Sequence, residues 1–565
     1  MTGAPARPSF LALARAAGLV AIAGAAACAS AGSGAGGTRQ VPAPGPTTRA
    51  EEWITLSDFR HVTSAAASEA VAYFGTTAGL ERYDTLRDEW LAPVTVADGL
   101  PDGRVTALAA EPVGGDVWIG TARGLARLVP FTGEVEPVSG LPPIAVQRVL
   151  VDPVRGNVFV LSGSGWWSGS SGSSFLSRSG PPPPDARLAG SVPASELDPR
   201  VVPWMDPRRV RSDAWMGRLF ALTGVARDFR GDWYAGTWGD NARRWGAGRA
   251  AWEPLYFGLA GPAGGPVVRA ADGYWFVPGA ERAEPMAARL SALAGGLRAE
   301  VEFGDEAPVA LAHASPRLDR WSYAAPGLDA GLAAAAAHAA VAIGDTLWLA
   351  TDAGLVRGTG GEWRTWGAFE GPFTGPLTAV AVDGPTLWVG ARDGLVAWDR
   401  ATSAAGGRWL RGRSVTALAA GPEGVFAGTD GGLWAVGRDG DATIVPTLGR
   451  TVRALVLAEG LLLVATDWGL EARELRSGGW TRVGREDLRL GGAPLALAAE
   501  GPRVWVGTDR GLARWRRDTD EWERWDEADG LAGAPVRHLL ADGDAVWAST
   551  PNGVSRYAWR AAEGE

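Results

Sequence analysis

The chain has 565 residues, a net charge of −9, 80 glycines, 28 tryptophans and one cysteine. One core rarely holds so many residues, so more than one structural unit is expected. The sequence contains no lysine, which excludes Schiff-base and phosphate-loop chemistry; its charges are spread without long runs, which leaves no electrostatic footprint for nucleic acid; and a lone cysteine excludes an internal disulfide.

The first element is a targeting segment. Arg7 and Arg15 precede a short apolar run, 16–27, too short for a permanent membrane helix. The run ends in Ala25-Ala26-Ala27-Cys28. Small residues before a cysteine resemble the lipobox of bacterial lipoproteins, with Ala25 where leucine is usual. That resemblance implies a signal peptide over 1–28 and a lipid on Cys28, holding the protein on a membrane. Residues 29–50 are mostly Gly, Ser, Ala, Pro and Thr, and read as a flexible tether.

After the tether a phrase close to Val-Trp-Ile-Gly-Thr-x-x-Gly-Leu recurs at roughly 40-residue intervals. Clear copies are YFGTTAGLERYD from Tyr73, VWIGTARGLARL from Val117, LWLATDAGLVRG from Leu347, LWVGARDGLVAWD from Leu387 and VFAGTDGGLWAV from Val425. Others are LLVATDWGLEA from Leu462, VWVGTDRGLARW from Val504 and VWASTPNGVSRY from Val546, and looser copies start at Val158, Trp233 and Tyr274. Apolar alternation broken by Gly, Asp and Asn turns is a hairpin signal, and a Trp-bearing strand after many copies supplies a fourth strand. The expected fold is all-β: four-stranded propeller blades, eleven or twelve of them, in two propellers or in one large ring. The aromatic of each copy is expected to pack between blades.

Aligned on that aromatic, the copies are evenly spaced except for two gaps of about 75 residues, after Phe159 and after Trp275. The text reads as an N-terminal propeller over 51–340, with insertions at 161–216 and 278–312, and a six-bladed propeller over 341–565. The first insertion has loop composition and exposed-looking Trp166, Trp167 and Trp204. In the second, 284–294 has a helical pattern, and LDRW at 318–321 is like the tail of a worn blade. The last unit ends after its third strand, and 51–56 looks like an orphan fourth. Pairing the two would remove an open sheet edge.

The units with their D-x-x-x-D/G-x-W tails, and the linkers ADGLPDGRVTALA at 97–109 and ADGLAGAPVRHLLA at 528–541, resemble the two-component-regulator propeller repeat. In that family, propellers are periplasmic ligand-sensing domains upstream of a membrane helix and a histidine kinase; no such helix or kinase is seen here. A weaker likeness, FTGEV at 131–135, is to the quinoprotein-like propeller lipoproteins of outer-membrane protein assembly.

His61, His313, His338 and His538 form no metal-ligand pattern and share no motif with a nucleophile, so no catalyst, metal or cofactor is expected. The acids of the TD-x-G turns recur one per blade, which suits turn formation better than calcium, whose ligands must converge on one point. Turns between second and third strands share one face of a propeller. The candidate ligand-binding residues there are Trp238, Asp240, Arg392, Asp393, Asp467, Trp468, Asp509 and Arg510. The expected function is binding without catalysis by a membrane-anchored extracytoplasmic lipoprotein, on the outer membrane or the periplasmic face. The partner is a glycan, a peptide or an envelope protein. The alternatives are a propeller enzyme acting on glycan and a scaffold in outer-membrane protein assembly.

Overall fold

The computed structural model describes residues 52–112, 115–193, 196, 222–246, 252–279, 310–324 and 336–563, apart from 360, 368–370, 374, 439 and 486–488. Cys28, the tether, Trp204 and the 284–294 pattern lie outside the described residues.

The described residues form eleven antiparallel sheets. In chain order they are blade 1 (62–94), blade 2 (105–137), blade 3 (146–178), blade 4 (192–255), blade 5 (267–324), blade 6 (337–366), blade 7 (377–409), blade 8 (415–445), blade 9 (452–485), blade 10 (494–525) and blade 11 (538–557). Ten have four strands; blade 4 has five, and its strand Leu222–Arg227 is counted as the first, with Val192–Pro193 an extra strand beside it. Blade 11 takes its fourth strand from the other end of the chain: Trp53–Leu56 pairs antiparallel with Gly553–Tyr557, and Trp53 stacks on Tyr557 at 4.6 Å. The orphan strand is thus paired as its pattern predicted.

The repeated phrase is explained locally. In blade 10 the buried Thr508 hydroxyl donates to the Gly511 carbonyl (3.0 Å) and accepts from the Arg510 N–H (3.2 Å). The same Thr-to-Gly bond recurs at Thr76, Thr121, Thr351, Thr429, Thr466 and Thr550. Gly511 has φ +149, where an L side chain is strained. The aromatics Phe74, Trp118, Trp348, Trp388, Trp505 and Trp547 are buried.

The glycine after the aromatic is where blades meet. A Cβ at Gly75 would lie 2.4 Å from Val105 Cγ1, at Gly120 2.6 Å from Val146 Cγ1, and at Gly390 2.6 Å from Val415 Cγ1. Hydroxyls at bulges in the first strands add a second tie: Thr63, Thr106, Thr378 and Thr416 donate to the carbonyls of Val105, Val146, Val415 and Val452 in the following blade.

The first strands show two groups. Those of blades 5 to 11 neighbour one another in sequence, and blade 11 returns to blade 5, completing a cycle of seven. The Ser549 hydroxyl donates to the Gly265 carbonyl across that last contact (2.7 Å). This corrects the expected six-bladed propeller over 341–565. Blade 5 belongs with the C-terminal sheets, and 280–309, between its second and third strands, erases the Thr-x-x-Gly-Leu turn that marks other blades.

In the N-terminal group, blade 1 lies between blades 2 and 4, and blade 2 meets blade 3. The expected 161–216 insertion is here corrected in part. Trp166 and Trp167 sit on Gly165–Ser170, the third strand of blade 3. Residues 189–193 then bond to the first strands of all four blades. Ala189 exchanges backbone hydrogen bonds with Val151, the Ser191 N–H donates to Leu108, the Ser191 hydroxyl accepts from the Ala65 N–H, and Val192 pairs with Val225. One apolar cluster, including Phe59, Phe74, Tyr234, Phe257, Trp321 and Trp547, joins blades 1, 4, 5 and 11.

Candidate functional site

Where Thr and Gly close the turn between second and third strands, the two residues between them form its tip. Asp467 and Trp468, and Asp509 and Arg510, occupy such tips; Arg392 and Asp393 occupy one with Ala391 in place of Thr. The acids are already engaged. Asp467 Oδ1 accepts the N–H groups of Arg450 (2.7 Å) and Thr451 (3.2 Å), and Asp509 Oδ1 accepts that of Ala493 (2.8 Å). Asp393 Oδ1 accepts the Gly412 N–H at 2.9 Å. Each carboxylate ties a turn to a segment entering a first strand, as a turn-forming Asp does. Trp468 is half-buried, with the Arg482 guanidinium 5.9 Å from its ring.

Antiparallel blades put these turns on the same face as the links between blades. On that face of the seven-blade cycle, Arg392 and Arg510 are exposed at turn tips, and Arg413 and Arg450 are exposed on links. Arg413 stacks over Trp434 at 4.6 Å. His338 Nε2 lies 2.8 Å from Asp352 Oδ1. His538 has its pKa lowered to about 4 by burial and then by the charges of Arg537 and His338, so it is neutral at neutral pH.

Trp238 and Asp240 lie elsewhere. Their turn, in blade 4, is one residue longer: the Thr237 hydroxyl reaches the Asn241 carbonyl at 2.7 Å, and Asn241 has φ +55. Trp238 packs edge-on against His61 (4.9 Å), and Asp240 is ion-paired with buried Arg243. The eight candidates therefore divide between the face of blades 7, 9 and 10 and the junction of the two groups.

That junction holds a polar constellation which the sequence pattern does not signal. Arg60 clasps Asp58 through two hydrogen bonds, 2.8 and 2.7 Å. Its carbonyl accepts the N–H groups of Gly239 (3.0 Å) and Asn241 (3.1 Å). Asn241 Nδ2 and the Tyr323 hydroxyl both donate to the Phe257 carbonyl, at 3.0 and 2.7 Å. Burial pushes the Asp58 carboxyl up, but Arg60 outweighs it and leaves the pKa below the usual value. Glu81 is fully buried, and neither of its oxygens has a hydrogen-bond partner. Burial first, then the Asp58 charge, raises its pKa well above the carboxylate range. Among the described residues, no three His, Cys, Asp or Glu side chains come together as a metal site would require.

No protein-family model and no curated protein matches the chain. Solved structures match its fold. PorZ, a surface component of the type-IX secretion system of Porphyromonas gingivalis, superposes with a TM-score of 0.53 at 12% identity, over 90% of this chain and 87% of that one. The extracellular domain of a putative hybrid two-component system of B. thetaiotaomicron gives a TM-score of 0.42 at 13% identity, over 88% and 74% of the two chains. With the eleven sheets, the likeness to PorZ shows the β-propeller fold.

Proposed function

We propose that the protein is a membrane-anchored, extracytoplasmic propeller that binds an anionic ligand or envelope partner and does not turn it over. One observation carries this reading. On one face of the seven-blade cycle the turn carboxylates Asp393, Asp467 and Asp509 accept backbone N–H groups and Asp352 faces His338, while Arg392, Arg413, Arg450 and Arg510 present exposed guanidiniums beside the exposed Asp430. Guanidiniums match carboxylate, sulfate and phosphate geometry, and half-buried Trp468 offers a ring for a sugar or an apolar side chain. Acidic glycans and acidic segments of envelope proteins share this chemistry.

The binding test is retention on arrays of acidic glycans and envelope proteins, comparing the wild type with Arg392→Ala/Arg510→Ala and with Trp468→Ala. Retention that none of the variants reduces sinks the site. The anchor is tested separately by radiolabelled fatty acid, which the wild type incorporates and Cys28→Ala does not. A wild type without label refutes the lipoprotein reading.

A further inference from the structure

The segment 189–193 shows what the inner edge of a blade can do. First strands line the inner side of each group, so one edge of each pairs with a second strand and the other edge faces inward. In the N-terminal group that inner edge is used. Ala189 both donates and accepts a backbone hydrogen bond with Val151, and the Ser191 N–H donates to the Leu108 carbonyl. Val192–Pro193 pairs antiparallel with Val225 and Gly224 as the fifth strand of blade 4. The approach is close: a Cβ at Gly190 would lie 2.6 Å from the Val149 carbonyl oxygen and 3.1 Å from Leu150 Cδ2.

The bonded residues hold fixed places in the repeat. Counted along their first strands, Leu108 and Val225 are fourth and Val151 is sixth. The register against the second strand is the same in the seven-blade cycle. Leu418 pairs with Ala427 as Leu108 pairs with Ile119, and Ala420 pairs with Val425 as Val151 pairs with Val158. The N–H and C=O groups of the fourth and sixth residues therefore face inward in blades 7 to 10, on the strands 377–383, 415–421, 452–458 and 494–500. Among the described residues, nothing outside their own sheets bonds to these backbone groups. The four strands adjoin one another in sequence order, so their inner edges stand side by side. The side chains at both positions are Ala, Val or Leu, and Leu418, Leu457 and Leu497 are half-buried.

We infer that these inner edges receive an extended peptide segment of a partner protein, which adds to a first strand as Val192–Pro193 adds to blade 4. An unpaired strand edge is recognised by another strand through main-chain hydrogen bonds. Donors and acceptors spaced along an extended peptide match these groups, whereas an acyl chain has none to offer. The apolar side chains alongside, and the close approach at Gly190, select a segment of small, uncharged residues. The inference deepens the envelope-partner reading by naming the part of the partner that is bound. Its test follows the inner strands and not the face arginines, so the two fail separately.

The probe is a synthetic peptide of residues 188–195, Leu-Ala-Gly-Ser-Val-Pro-Ala-Ser, with both ends capped; it carries the segment seen paired. It is added to the chain from residue 29 onward, which lacks Cys28 and retains every described residue. Bound peptide is expected to slow amide exchange by about tenfold or more at the fourth and sixth residues of one or more of the strands 377–383, 415–421, 452–458 and 494–500. The same peptide N-methylated at the positions of Ala189 and Ser191 lacks both donors and is expected to bind about tenfold more weakly or worse. Arg392→Ala/Arg510→Ala is expected to bind the peptide as the wild type does. No binding, slowing confined to blades 1 to 4, or equal binding of the methylated peptide overturns the inference. A peptide that binds the wild type and not the arginine variant overturns it in favour of the turn face.

Discussion

Gly390→Ala is a direct probe of how the blades are held together. The φ of Gly390 lies outside the left-handed region, so an alanine backbone is unstrained there. By itself the change would stabilise by about 0.4–1 kcal/mol, because the unfolded chain loses freedom. Against this, the new Cβ would lie 2.6 Å from Val415 Cγ1, 3.1 Å from Val415 Cβ and 3.3 Å from Ala379 Cβ. Ordinary carbon contacts are about 3.5–4.0 Å. Val415 is fully buried, and its carbonyl is held by Thr378, so it has little room to retreat. Overpacking of this kind costs about 1–3 kcal/mol, and the net loss should be about 1–2 kcal/mol. Val415→Ala removes Cγ1 and leaves the nearest atom at 3.1 Å, a shortfall of a few tenths of an ångström. Val415→Ala alone costs about 2 kcal/mol as a cavity, but the double variant should be more stable than the sum of the singles by at least about 1 kcal/mol. Urea unfolding followed by tryptophan fluorescence measures all four corners of the cycle. A Gly390→Ala protein as stable as the wild type, or singles that add to within about 0.5 kcal/mol, would refute close packing at this glycine.

Three other outcomes are expected. Thr429→Val removes a buried hydroxyl that donates to Gly432 (2.8 Å) and accepts from Gly431 (3.2 Å), and should cost about 1–3 kcal/mol in the same unfolding assay. Trp53→Ala should cost about 3–5 kcal/mol, and should speed amide exchange in 553–557 before other strands, because the partner of that edge is lost. Glu81→Gln should raise the melting temperature at neutral pH and leave it unchanged in acid. The folded pKa of Glu81 is raised, so its contribution is full below the unfolded value and is lost as pH rises towards the folded one. The gain over wild type should therefore grow by about 1.4 kcal/mol per pH unit in that window, and calorimetry across pH would show it.

What could be read from the sequence was local. Thr508, Arg510 and Gly511 close one turn within four residues, so the phrase that carries them shows its own structure. The 51–56 strand was legible because an unpaired edge at one end matched a spare strand at the other. The membership of blade 5 was not, because the tie from Ser549 to Gly265 spans most of the chain and the turn motif there is interrupted. Nor was the role of 189–193: each of its bonds goes to a different blade, so no period records it. The candidate acids Asp393, Asp467 and Asp509 were placed correctly at turn tips, but backbone N–H groups supplied by other segments already occupy them.

The residue after each Gly-Leu pair shows why a repeat reveals a fold more readily than a site. The slot is buried and takes Ala126, Val356, Val396 and Ala513 where the neighbouring blade is apolar. Blades 1 and 9 both place a glutamate in it. Glu471 accepts the N–H groups of Leu448 (2.9 Å) and Gly449 (3.3 Å), because a link between blades passes over it. Glu81 meets no donor, and Asp58 at the junction of the two groups adds a like charge. The same residue in the same slot is thus a structural anchor in one blade and an uncompensated buried acid in the other. The difference lies in what crosses the slot, which is set by how the blades are arranged and not by the repeat. An unpaired acid at the place where blades 1, 4, 5 and 11 share a core makes the strength of that joint depend on a proton. The pH dependence of Glu81→Gln is therefore a readout of the junction itself.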